Sequence, residues 1–182
     1  MKKTNYLKRG VFIIFLLFVG TKMTAQTDEQ QGLIDDAENA KSAFIEKRPE
    51  LSGVFENAEA YVIFPNVGKG AYILGGAAGN GVLFEDGKVS GFSELRQLDI
   101  GLQIGGQAYS QAILFQTPSE VEKFKEGNYK LSGNASAVAI EEGRAKSVEF
   151  NDGRAILTMP KAGAMIEVSV GGQKFDYRDW NE

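Results

Sequence analysis

Apolar residues recur at three- and four-residue spacing over positions 28–47: Leu33, Ile34, Ala37, Ala40, Ala43, Phe44 and Ile45. At 3.6 residues per turn they share one face, so the spacing predicts an amphipathic helix. Thr27 and Gln30 form a capping box at its start, and Pro49 ends it. Asp28 and Glu29 in the first turn, with Lys47 and Arg48 in the last, suit the helix dipole. A second short helix is expected within 50–58.

From Tyr61 the period changes. Tyr61–Phe64 is a short apolar strand, expected to stop at Pro65-Asn66. Ala71–Leu74 and Val82–Phe84 read as strands separated by the glycine-rich stretch 75–81, and Asp86-Gly87 as a type I′ hairpin turn leading into a strand at 88–92. A short loop is expected between Phe92 and Leu98. The clearest alternation is Leu98, Ile100, Leu102 and Ile104 against Asp99, Gly101, Gln103 and Gly105. Repeated glycine on one strand face implies close approach of another backbone, or strong curvature. Tyr109–Gln116 is a further strand. A short helix follows, with Thr117 as N-cap, Pro118 at its first position and Gly127 just past its end. Strands are expected at 135–140, at 148–150 and 155–159 around an Asn151-Asp-Gly153 turn, and at 164–170. Residues 174–182 read as a polar and aromatic tail. The pattern predicts one α+β domain: a curved, mainly antiparallel, glycine-rich β-sheet with an N-terminal amphipathic helix and one short internal helix.

Charge divides the chain in two. Residues 1–25 hold five basic residues, no acid and the apolar run Val11–Val19. A basic head and a nine-residue apolar core are the layout of a secretory signal peptide, with cleavage expected after Ala25. The remaining 26–182 carries 15 basic and 24 acidic residues, a net charge of −9. That balance argues against nucleic-acid partners and against broad attraction to anionic membranes. The chain is therefore expected to be exported, periplasmic or extracellular, with peripheral membrane association allowed.

The chain contains no His and no Cys. Imidazole-based triads, cysteine nucleophiles, disulfides and the common zinc sites are thereby excluded. The glycines at 76, 79 and 81 precede a strand and hairpin rather than a helix, so they fail the context for a nucleotide loop. The acid pairs Asp35-Asp36, Glu85-Asp86 and Glu141-Glu142 are sequence neighbours without a partner across a cleft. No enzyme motif remains, and no cofactor or metal is expected.

One series of motifs is distinctive as a whole: Ala60–Gly70 (aliphatic residues into Phe64-Pro65, then Lys69-Gly70), the glycine-rich turn into Gly81–Phe84, Ile100–Gln107, Ala112–Phe115, Val121–Phe124 and Gly133–Val138. In this order they resemble the SYLF domain family, over about residues 30–178. The resemblance implies a non-catalytic module of the cell envelope that binds a phospholipid or phosphoinositide-like lipid. No actin partner is expected in the exported branch. Lys69, between Gly68 and Gly70, is the basic residue of the Ala60–Gly70 motif, expected on an exposed turn where it meets a phosphate as a point charge. A structural or protein-interaction module with an envelope protein partner is the alternative. A small outer-membrane barrel is a third reading, which the helices oppose.

Overall fold

The computed structural model describes residues 28–69, 76–98, 107–131, 137–140, 147–161 and 170–180. The leader, Thr27 of the capping box, the strand expected at 71–74 and most of 98–105 and 164–170 lie outside them. Helix α1 covers 28–47 and α2 Leu51–Glu56. Strands β1 (Ala60–Lys69), β2 (Gly76–Glu85), β3 (Lys88–Leu98) and β4 (Gln107–Phe115) follow. Then come α3 (Pro118–Lys125), β5 (Tyr129–Lys130), β6 (Val138–Ala139), β7 (Arg154–Pro160) and β8 (Lys174–Asp179). They form one sheet in the order β5-β8-β3-β2-β1-β4-β7-β6. Every pairing is antiparallel except β6 with β7.

The sheet is curled. Strands β1 and β8 are separated by β2 and β3, which in a flat sheet means roughly 14 Å. Yet the rings of Phe64 and Phe175 lie 5.5 Å apart. Such contact requires the sheet to bend into a trough. Inside it sit Val62, Phe64, Leu83, Leu95, Ile113, Phe115, Phe124 and Phe175, all closed to solvent. Helix α3 packs at one end of the trough, with Phe124 5.2 Å from Phe115. On the outer face, α1 and α2 bury Ile34, Ala37, Phe44, Leu51 and Phe55 against Ile63, Val82, Phe84, Leu114 and Leu157. The apolar face of the leading helix is thus core.

Local signals are realised where they were strongest. Asp86 (φ 51°) and Gly87 (φ 71°) make the β2–β3 turn. Thr117 Oγ1 accepts the Glu120 amide, Pro118 opens α3, and Gly127 (φ 74°) follows its end. Only glycine adopts that left-handed backbone without steric cost.

Five expectations are corrected. Strand β1 does not stop at Pro65-Asn66: the register shifts there as a bulge and the strand continues to Lys69. The glycine-rich stretch is not a separator, because β2 begins at Gly76. At two of its glycines β2 lies too close to β1 for a side chain. A Cβ on Gly79 would lie 2.8 Å from the Asn66 carbonyl oxygen, and one on Gly81 2.5 Å from Phe64 Cδ1. The 92–98 stretch is not a loop, because β3 runs through it with Leu95 and Gln97 turned inward. Residues 148–150 form no strand; the Asn151–Gly153 turn closes through a single bridge from Asn151 to Arg154. Finally, 174–179 is strand β8, in which buried Phe175 and half-buried Tyr177 alternate with exposed Lys174, Asp176 and Arg178. That period of two marks a strand with one face in the core.

Candidate functional site

Antiparallel pairing brings the ends of β1, β3 and β7 and the starts of β2, β4 and β8 to one end of the trough. Gly68 pairs with Ala78 and Ala108, and Lys69 with Ala77 and Gln107. The sequence-predicted pair Gly68–Lys69 therefore occupies a paired position in a central strand, not an exposed turn. Gly70 lies outside the described residues. Amides of a strand flanked on both sides are aimed at its neighbours, so a phosphate here would be met by side chains rather than by a backbone nest. Gly68 is exposed, and a Cβ on it would meet nothing within 4 Å.

Beneath this end lies a layer of carboxamides that the motif reading missed. Gln97, Gln111 and Gln173 are at most 2% exposed, and Tyr109 is fully buried. Gln111 Nε2 donates to Gln173 Oε1 at 2.8 Å. Gln173 Nε2 faces Gln97 Oε1 at 3.1 Å, Gln111 Oε1 at 3.1 Å and Tyr109 Oη at 3.3 Å. Buried carboxamides are costly unless so bonded. Here they tie β3, β4 and the lead-in to β8 across the trough. They are neutral and do no acid–base work. Their signal in the sequence is phase: Gln97, Gln111 and Gln173 fall where Leu95, Ile113 and Phe175 put the apolar face.

A groove of about 1010 Å³ separates the first half of α1 from β3 and β8. Leu33 and Phe92 give it apolar surface, and Glu29, Asp36, Glu94 and Asp176 make its rim acidic, with Arg178 the opposing charge. Trp180, 46% exposed, packs on Phe92 with ring centroids 5.5 Å apart. Four carboxylates against one guanidinium leave the rim of the groove net acidic.

At the other end of the trough, Glu120 is buried in the first turn of α3. It accepts from Lys123 Nζ at 2.6 Å, Tyr129 Oη at 3.1 Å and Arg154 Nη1 at 3.3 Å. Burial alone would raise its pKa. The bonds from Lys123 and Tyr129, with the charges of Lys123 and Arg154, outweigh that and hold the carboxyl below its ordinary value. Burial pushes the Tyr129 hydroxyl up to about 12, with the Glu120 charge adding to the rise. Each charge here has a partner, and the cluster clamps α3, β5 and β7 together. Among the described residues, no three carboxylates come together to hold a metal ion.

Residues 96–182 match the family model Ysc84, described as Las17-binding protein actin regulator. That span runs from the end of β3 through β8. Beta cell expansion factor A of Aeromonas veronii is 24% identical over 141 residues, covering 76% of this chain. The chain spans about half of that relative, 53% of its length.

Proposed function

We propose that the chain carries a domain of the SYLF family, acting as a non-catalytic module of the cell envelope that binds phospholipid on its surface. The filled trough supports a surface mode. Its described interior is occupied by Phe64, Phe115, Phe124, Phe175 and the carboxamide layer, all at most 2% exposed. An acyl chain has no room there without displacing core that contributes about 1.5–3 kcal/mol per large apolar side chain. Lipid therefore meets the protein from outside, headgroup first. The observation that carries this reading is Gly68–Lys69 at the end of β1: a small, exposed, unobstructed residue beside a lysine, in an otherwise acidic domain.

Co-sedimentation with vesicles of varied headgroup at two salt concentrations tests it. Binding to anionic vesicles that weakens with salt is expected. Lys69→Glu is expected to weaken it by on the order of fivefold or more, at about 1 kcal/mol per basic residue near an anionic surface. No binding to any composition rejects lipid binding; unchanged affinity in the variant removes Lys69 from the contact.

The groove favours a second reading, a protein-interaction module. Exposed Trp180 beside an acidic rim is a surface that a basic, apolar segment of an envelope protein would fit. A stoichiometric partner recovered from envelope extract and lost in Trp180→Ala, with vesicles silent, would favour it.

A further inference from the structure

One cross-strand row crosses most of the sheet at the Lys69 end. Lys174 pairs with Arg96, Arg96 with Ala78, Ala78 with Gly68, and Gly68 with Ala108. The Lys161 amide donates to the Ala108 carbonyl at 3.0 Å and extends the row past β4. Each of the first five sits beside a residue turned into the trough: Phe175, Leu95, Ala77, Val67 and Tyr109. Strand alternation therefore sets the row on the outer face. Ala78 is half-buried and the other five are exposed. Across six strands the row is roughly 24 Å long, at ~4.8 Å per strand.

The middle of this row, Ala78-Gly68-Ala108, rises no higher than a methyl group, and its two ends are basic. The Lys161 ammonium bonds Asn66 Oδ1 in the β1 bulge, which turns it back toward the centre. Arg96 is tied to Glu94, with Nη2 to Oε2 at 2.6 Å. Glu94 and Asp176 occupy the adjoining row, on the side of the α1 groove. A domain with net charge −9 repels an anionic surface in general. A low, exposed strip with cations at both ends is where such a surface can come close.

We propose that this row docks the anionic phospholipid headgroups of a bilayer, with Lys161 and Lys174 as the principal cations and Arg96 as a third. The proposal rests on the lipid-binding reading above and extends it to residues that no motif singled out. The small centre lets phosphates approach the sheet, while the flanking ammonium groups meet them as point charges.

The test uses protein recovered from cells expressing the full chain, with vesicles of phosphatidylcholine alone or mixed with phosphatidylglycerol. Lys161→Glu and Lys174→Glu are compared with Lys88→Glu, an exposed lysine at the β2–β3 turn on the opposite end. Thermal melts confirm that each variant folds. The expected result is binding to the anionic vesicles, weakened about fivefold or more by each of the first two changes. Their salt dependence should flatten, and Lys88→Glu should leave binding unchanged. If wild type binds and all three variants bind equally well, or all three weaken equally, the row is overturned and lipid binding stands. If wild type binds neither vesicle, lipid binding and the row fall together.

Discussion

Gly81→Ala is the sharpest structural perturbation the sheet offers. The new methyl would lie 2.5 Å from Phe64 Cδ1, 2.7 Å from Cε1 and 2.8 Å from the Ile63 carbonyl oxygen. Carbon–carbon contacts are comfortable near ~3.5–4.0 Å, so something must move by about 1 Å. The Phe64 ring cannot easily do so: it is fully buried and packed 5.5 Å from Phe175 across the trough. The other obstacle is β1 backbone. Overpacking of this kind costs about 1–3 kcal/mol. Replacing glycine also stiffens the unfolded chain, which returns about 0.4–1 kcal/mol. A net loss of about 1–2 kcal/mol is expected, or roughly 2–8 °C in Tm for a domain of this size. Gly68→Ala is the matched control, because its Cβ would meet nothing within 4 Å. It should be neutral or stabilising by up to about 1 kcal/mol. Urea denaturation of both variants, compared at equal m-value, measures the difference. A Gly81→Ala protein as stable as Gly68→Ala would refute the close approach of β1 to β2 at Ile63 and Phe64.

Phe175→Ala should cost about 3–5 kcal/mol in urea melts, as truncation of a fully buried ring does; a loss below about 1 kcal/mol would return residues 174–179 to a tail. Gln111→Leu removes one end of the carboxamide layer and leaves Gln173 short of partners, so a loss of about 1–3 kcal/mol is expected by the same assay. A neutral result would show that the layer does not tie the trough. Glu120 titrates below the ordinary 4.5 in the folded state, so its ionised form favours folding. Its contribution is full above about pH 4.5 and is lost as pH falls through the lower folded value. Glu120→Gln should therefore be less stable at pH 7 and fall less steeply below pH 4.5, and parallel acid melts would contradict this.

Elements whose signals are local were legible in the chain. The helix at 28–47 follows from its apolar spacing, α3 from Thr117, Pro118 and Gly127, and the β2–β3 turn from Asp86-Gly87. That Gly68 and Lys69 are paired in a strand was not legible, because a turn and a strand end look alike in Gly68-Lys69-Gly70. Gln97, Gln111 and Gln173 carried a phase signal, yet nothing local says that three glutamines 14 and 62 residues apart converge.

By itself, then, the sequence determined the period of each segment, the placement of caps and turns, and the sign of the charge on each part of the chain. Tertiary structure decided that glycine-rich 76–81 is a strand, through its pairing with β1 and β3, and that β1, distant in the chain, leaves no space for a side chain at Gly79 or Gly81. It also decided that Phe175 closes a core and that Lys161, Arg96 and Lys174 share one exposed row. The physical reason is common to all three. Strand pairing and sheet curvature are set by contacts between residues far apart in the chain, and no window along the sequence contains both partners.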